Sequence, residues 1–309
     1  MITYNHEAFI AEAIESVLMQ KGDFDLELVI GEDCSTDGTL SIIEKYQQRF
    51  PGVIRVVTST YNVGAQLNFV RAYEACKGEY IAMLEGDDYW IDELKLQKQV
   101  DFLDKNRSYS ICFHNMKVIH EGDDKIIMSN PINQKTDLDI GDLAERNYIT
   151  TASCVFKNKL VVNFPDWFYQ AVAGDYCLHM LNAREGRIKY LPDVMGVYRV
   201  HEGGMWQTKP TGYKMSKWFE TLQLLSQEFT GIILSKLRIA QFKALNDVLQ
   251  SKDLDEVQKG RFVADNISAI THIIKVANDE YEIDHIKSMS MEFRIGSRII
   301  GPLRLLLKR

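Results

Sequence analysis

The chain has 309 residues, 46% of them apolar, and a formal net charge of −7. That length holds one large domain or two modest ones with a sizeable core. The acidic balance argues against a nucleic-acid binder, since those show basic faces. Five scattered cysteines, Cys34, Cys76, Cys112, Cys154 and Cys177, form no CxxC pair. They suggest neither a disulfide frame nor a zinc cluster, and they suit a reducing cytosol. Residues 1–7 have no basic region and no long apolar run, so they do not read as a signal peptide. No apolar stretch approaches the roughly 20 residues that a bilayer span needs.

Residues 1–4 read as the end of a first strand, whose shortness leaves open a native start upstream of Met1. Residues 7–20 place Ile10, Ile14, Val17 and Leu18 at helical spacing. Residues 26–30 predict a second strand. Ser35-Thr36-Asp37-Gly38-Thr39 then supplies capping residues for a helix around Leu40, Ile43 and Tyr46. A third strand at 53–57, a helix at 65–76 and a fourth strand at 79–84 follow. This alternation predicts an α/β fold with a mostly parallel sheet and helices on both faces. After residue 90 the pattern loosens: a helix at 92–105, a strand at 109–119, a polar surface run at 121–142 and a strand at 149–156. A helix at 174–185 and short strands at 188–200 around Pro192 complete this part. From 213 onward the chain reads as helical, with breaks near Gly231 and at 251–255.

The stretch Leu84-Glu85-Gly86-Asp87-Asp88-Tyr89-Trp90 follows the apolar run Tyr80-Ile81-Ala82-Met83. It puts two adjacent carboxylates, and a third at Glu85, where a strand leaves a sheet. Open α/β sheets bind ligands at the carboxyl ends of their strands. Carboxylates crowded there repel unless a cation or hydrogen-bond donors share them, and hard divalent cations take oxygen ligands and leave positions for phosphates. The pattern suits a metal–diphosphate site, or else an acidic turn capping the next helix. Thr3-Tyr4-Asn5, the run from Glu32 to Thr39, and Asn62-Val63-Gly64 also follow strands, so four turns would meet along one sheet edge. A later segment, Gly174-Asp175-Tyr176, opens a helix.

Taken in order, Thr-Tyr-Asn, Glu-Asp-x-Ser-Thr-Asp-Gly-Thr, Asn-x-Gly, Gly-Glu-Tyr-Ile, Gly-Asp-Asp and Gly-Asp-Tyr resemble the family 2 glycosyltransferases, over residues 1 to about 205. These are inverting, nucleotide-sugar-dependent enzymes of the GT-A fold. Glu32 and Glu85 stand where the family often has Asp, and both keep the charge. The resemblance implies a catalytic domain over 1–210, with a nucleotide-sugar half at about 1–105 and an acceptor half at about 106–210, followed by a helical region over 211–309.

The resemblance also implies roles. Thr3, Tyr4, Asn5, Asp33, Asn62, Gly64, Asp87 and His201 would bind the donor, with Tyr4 near the base and Asp33 accepting the imide N–H of uracil. Asp87 would hold the ribose or share the metal, and Asp88 would ligate Mg²⁺ or Mn²⁺ on the diphosphate. Asp175 would be the general base, a role compatible with a cap at a helix start. Tyr198-Arg199-Val200-His201 is similar to a family segment, with His201 on the metal or diphosphate. Arg71 would aid the diphosphate or pair with surface acids, the latter reading being preferred. Trp206 would stack on sugar or anchor its loop, and His179 receives no role.

The implied reaction is transfer of a hexosyl or N-acetylhexosaminyl group from a UDP-sugar to a hydroxyl of a saccharide or lipid-linked acceptor, in bacterial surface-polysaccharide or glycolipid synthesis. The apolar, basic tail 293–309, with Arg294, Arg298, Arg304, Lys308 and Arg309, suits an interfacial helix on an anionic leaflet, or else a packed helix or homodimer contact. The expected location is cytoplasmic, at the inner face of the membrane. A sugar-nucleotide pyrophosphorylase would want a Gly-rich, Arg-containing loop in place of Asn5-His6-Glu7-Ala8-Phe9, and a dinucleotide oxidoreductase would want GxGxxG there. A nucleotide-sugar-binding scaffold without chemistry is opposed by intact Asp88 and Asp175.

Overall fold

The computed structural model describes residues 1–280 apart from 124, 205, 207 and 208, and of 274–280 the backbone alone. The first half runs β1 (Ile2–Thr3), α1 (Ile10–Leu18), β2 (Leu28–Glu32), α2 (Thr39–Arg49), β3 (Ile54–Val57), α3 (Ala65–Ala75), β4 (Tyr80–Ala82), β5 (Tyr89–Trp90) and α4 (Lys95–Lys105). Strands β1, β2 and β3 pair in parallel in that order. Just past β4, Ile2 donates to the Leu84 carbonyl (3.2 Å) and receives the Gly86 N–H (2.9 Å), so Glu85 lies beside β1 in parallel. The four strand ends therefore stand side by side.

The second half adds β6 (Tyr109–His120), β7 (Ile126–Met128), β8 (Asp137–Leu138), α5 (Ile140–Glu145), β9 (Val155–Lys157), α6 (Gly174–Asn182) and β10 (Arg187–Val200). The long pairing of β6 with β10 is parallel, while β5, β7, β8 and β9 pair antiparallel. Side chains on β6 alternate between two cores, as a pleated strand requires. Ile111 and Phe113 join Tyr73 of α3, Phe156 and Tyr176, whereas Cys112 and Met116 join Ile14 of α1, Ile43 of α2 and Leu103 of α4. Helices thus cover both faces.

Beyond 210 come α7 (Thr211–Leu225), α8 (Gly231–Gln250), α9 (Glu256–Asp265) and α10 (Ile267–Glu280). Phe219, Leu222 and Leu237 are fully buried in the cluster that holds Phe113 and Tyr176, so α7 and α8 extend the core of the sheet. Breaks fall at Gly231 and over 251–255 as expected, with one more at Asn266. Among the described residues no helix is long and apolar enough to cross a membrane. The tail 293–309 lies outside the described residues.

Three local expectations shift. The polar run 121–142 contains β7 and β8. Over 149–156 only Val155–Lys157 is a strand, because Thr151–Ser153 forms a 3-10 turn. There the Ser153 hydroxyl donates to the Thr150 carbonyl (2.6 Å) and the Trp90 indole donates to the Ala152 carbonyl (2.8 Å), so these acceptors serve side chains instead of a ladder. The segment 188–200 is one continuous strand that slips register between Leu191 and Val194. Pro192 lies within the slip and has no N–H to give.

Candidate active site

The donor-side turns lock onto one another. Both carboxylate oxygens of buried Asp33 are engaged, Oδ1 by the Val63 N–H (2.8 Å) and Oδ2 by the Gly64 N–H (2.9 Å). Gly64 sits at φ +87 where α3 begins, a conformation that favours glycine, and its N–H also meets Asn62 Oδ1 (3.0 Å). Asn5, itself left-handed at φ 55, accepts the Thr36 N–H (2.8 Å) and donates its own N–H to Ser35 Oγ (3.0 Å). Glu32 is fully buried and accepts the N–H groups of Cys34 and Ser35 and the Thr58 hydroxyl. Thr3 is buried with its hydroxyl unpartnered, facing Gly86, where a Cβ would come within 2.5 Å of that oxygen. Tyr4 is exposed at the rim.

The Gly-Asp-Asp turn separates its two aspartates. Asp88 points into protein: its Oδ1 accepts the Arg199 N–H (2.9 Å), while its Oδ2 is buried without a partner. Burial, then Glu85 and Asp87, raise its pKa well above the usual carboxylate range. Asp87 instead turns its Oδ2 toward two imidazoles, His201 Nε2 at 3.1 Å and His6 Nε2 at 3.7 Å. Arg199 ties the end of β10 to this turn, donating to the Asp87 carbonyl (2.6 Å), pairing with Glu12 and lying over the Tyr89 ring at 4.2 Å. His201 rests on Phe9, with ring centroids 4.5 Å apart. Burial lowers the His6 pKa, against the opposing pull of Asp87.

Asp175 enters from the other half of the sheet, in the first turn of α6. Its Oδ2 accepts the Thr151 hydroxyl at 3.0 Å. Asp175, Glu85 and Tyr198 line one cavity of about 730 Å³, which continues to Trp206, Trp218 and Lys243. Glu85 is pushed up to about 8, by burial first and then by Asp87 and Asp175. A carboxyl held protonated beside a carboxylate is one way a crowded acidic site avoids full repulsion. His179, one turn below Asp175, is fully buried with neither ring nitrogen partnered, and burial pushes it down to about 4.

The residues suit a metal that is shared with a ligand and do not suit a dedicated cage. Among the described residues no three His, Cys, Asp or Glu side chains converge as a metal site. A single accessible carboxylate beside an imidazole is what a diphosphate-bound divalent cation needs, since phosphate and water fill its remaining positions. Asp87 with His201 meets that description, and Asp88, enclosed and bonded to Arg199, braces the turn from behind.

Of the residues singled out from sequence, Thr3, Asn5, Asp33, Asn62 and Gly64 share one interlocked set of turns, and Asp87, Asp88 and His201 share a second. Asp175 faces the cavity between the halves. Arg71 donates to the Thr58 carbonyl instead of pairing with a surface acid. Sequence reasoning missed His6, Thr151 and Gln66, and it quoted Arg199 within Tyr198-Arg199-Val200-His201 without giving it a role of its own. His6 adjoins a quoted motif, whereas nothing local marks Thr151 or Gln66.

The profile of glycosyl transferase family 2 matches residues 1–162, more than half of the chain, and the protein belongs to that family. An uncharacterized protein of Mycobacterium tuberculosis is 38% identical over 220 residues, 71% of this chain and 62% of the relative. This chain thus spans less than two thirds of that relative. The dTDP-rhamnosyl transferase RfbG of Shigella flexneri is 36% identical over 107 residues, 33% of this chain and 36% of its own. The S. aureus TarS 1–349 structure in complex with UDP-GlcNAc superposes with a TM-score of 0.57 at 20% identity, covering 93% of this chain and 76% of that one. The Pyrobaculum calidifontis mannosyltransferase PcManGT, in complex with GDP-Man and Mn²⁺, gives 0.55 at 17% identity, covering 91% and 80%. The fold is GT-A, as the sequence motifs imply.

Proposed function

We propose that this glycosyltransferase moves a hexosyl or N-acetylhexosaminyl group, with inversion, from a UDP-sugar to a hydroxyl of a saccharide or lipid-linked saccharide, in bacterial surface-polysaccharide or glycolipid synthesis. The observation that carries the reading is one cavity lined by Asp175 and by Glu85, which stands two residues before Asp87 at the same strand end. Each Asp33 oxygen accepts one N–H and keeps a second lone pair. The uracil imide can therefore dock without dismantling the turn. Thr3, whose carbonyl accepts the Asp33 N–H at 3.1 Å, and exposed Tyr4 adjoin this turn.

In this reading Asp175 takes the proton of the acceptor hydroxyl as that oxygen attacks the anomeric carbon. The bond from that carbon to the β-phosphate oxygen breaks, and its electron pair leaves with the nucleoside diphosphate. Asp87 and His201 would hold Mg²⁺ or Mn²⁺, which would supply Lewis-acid stabilisation of charge on the leaving diphosphate. Residues 1–210 form the catalytic unit, and α7 and α8 wall its acceptor side through Met215, Trp218 and Lys243. Peripheral membrane contact through 293–309 rests on sequence alone.

Calorimetry with UDP, with and without Mn²⁺, tests the donor assignment. Mn²⁺ should tighten UDP binding to the wild type and leave Asp87→Ala unaffected. Equal UDP affinity with and without Mn²⁺ in the wild type would remove the metal from the account.

A further inference from the structure

Two side chains outside every recognisable motif hold the base-bearing turn. Thr151 comes from the 3-10 turn at Thr151–Ser153. That turn is anchored from the core, where the Trp90 indole donates to the Ala152 carbonyl (2.8 Å) and Gln99 Nε2 donates to the Ser153 carbonyl (3.0 Å). A hydroxyl on so fixed a turn has a defined direction, and it donates to Asp175 Oδ2 at 3.0 Å. Gln66 comes from the other side, in the first turn of α3. Its Nε2 donates to the Ala171 carbonyl at 2.6 Å. Its amide fills the space over Gly174, where a Cβ would stand 2.0 Å from Gln66 Oε1. Position 174 therefore has no room for a side chain while Gln66 is in place. Two residues before Gln66, Gly64 gives its N–H to Asp33. The turn that meets the donor base and the turn that carries Asp175 are thus joined through one side chain.

We propose that Thr151 and Gln66 are positioning residues for Asp175. Gln66 seats the 171–174 turn, and Thr151 engages Oδ2, so that Oδ1 is the oxygen that receives the acceptor proton. This rests on the reading of Asp175 as the base. Both residues line the cavity beside Asp175, and in this reading they act on the reaction through the aim of its carboxylate; Thr151 also bonds Glu85. A misplacement of about 1 Å in a reacting group can cost on the order of 10²-fold in rate.

The test compares Thr151→Val, Thr151→Ser, Gln66→Ala and Asp175→Asn for release of nucleoside diphosphate with Mn²⁺. It uses whichever of UDP-GlcNAc, dTDP-rhamnose and GDP-mannose the wild type turns over fastest. Thr151→Val should lower kcat by about 10- to 100-fold, with donor KM and calorimetric UDP affinity unchanged, and Thr151→Ser should restore it. Gln66→Ala should lower kcat in the same manner. Gly174→Ala should cost much less in the Gln66→Ala background than alone, because the cycle removes the clash. Unchanged UDP affinity shows that each variant is folded at the donor site. Wild-type kcat in Thr151→Val, with Asp175→Asn inactive, would overturn the proposal and leave the base in place. Near-normal turnover in Asp175→Asn would overturn the base and the positioning together.

Discussion

The two walls of the cleft are built on different principles. The wall proposed to hold the donor is made of turns that each follow a parallel strand within a few residues, and they bond to one another through polar side chains such as Asn5, Asp33 and Glu32. The wall proposed to face the acceptor gathers Thr151, Asp175, Tyr198, Trp206 and Trp218 from segments far apart in the chain. The first wall is a property of strand order, whereas the second depends on how α6, β10, α7 and α8 pack. Changes on the donor wall should act on nucleotide binding and local stability. Changes on the acceptor wall should act on turnover.

The largest expected effect lies on the acceptor wall. Asp175→Asn should lose transfer by roughly 10²- to 10⁴-fold, the usual worth of a positioned general base, while calorimetry shows unchanged UDP affinity. Loss of UDP binding in this variant would blur the division between the walls. Next comes the Gly-Asp-Asp turn. Asp87→Ala should lower Mn²⁺-dependent UDP affinity by at least about 10-fold, because its carboxylate is partly exposed and faces His201. Asp88→Asn should keep that affinity, since Asp88 bonds the Arg199 N–H from the protein side. A larger affinity loss in Asp88→Asn than in Asp87→Ala would reverse the assignment.

Most of the donor wall was legible in the chain because its residues lie next to strands that announce themselves by apolar runs. Asp33 and the Gly-Asp-Asp turn sit where a strand must end, and their place at one sheet edge follows from that position. Which of Asp87 and Asp88 is enclosed was not legible. Adjacent residues point to opposite sides of a turn, and only the arrival of β10, some 110 residues later, decides which one is enclosed. Thr151 was hidden for a related reason. Residues 149–156 carry strand-like composition, yet the Trp90 indole and the Ser153 hydroxyl claim carbonyls there and hold a 3-10 turn. Gln66 looks like any polar residue on a helix until the 171–174 turn lands on it.

A smaller effect is expected from Asp33. Asn at that position can accept only one of the two N–H groups, from Val63 and Gly64, that the carboxylate now holds. Asp33→Asn should cost about 1–3 kcal/mol of stability by denaturant melts, along with weakened UDP binding. A full loss of turnover at saturating donor would place Asp33 in the chemistry.

The smallest effect is in pH dependence. Glu85 holds its proton up to about 8 in the folded protein, against 4.5 ordinarily. Between those values the native state binds more protons than the unfolded state, so this group's contribution to stability falls as pH rises across that window. Buried His6, His114 and His179 act oppositely, because their pKa values are lowered from 6.5. The Glu85 contribution is therefore read as a difference. In metal-free buffer, the Tm of Glu85→Gln minus that of the wild type should grow from pH 5 to pH 8. A constant difference would mean that Glu85 is ionised throughout.

The most direct measurement is the anomeric configuration of the sugar that leaves the donor. Proton NMR on a turning-over mixture of the wild type, Mn²⁺ and a nucleotide-sugar should show first the anomer opposite to that of the donor, and Asp175→Asn should show no product on the same timescale. Initial appearance of the donor's own anomer, or the same rate in Asp175→Asn, would contradict inversion driven by the Asp175 carboxylate.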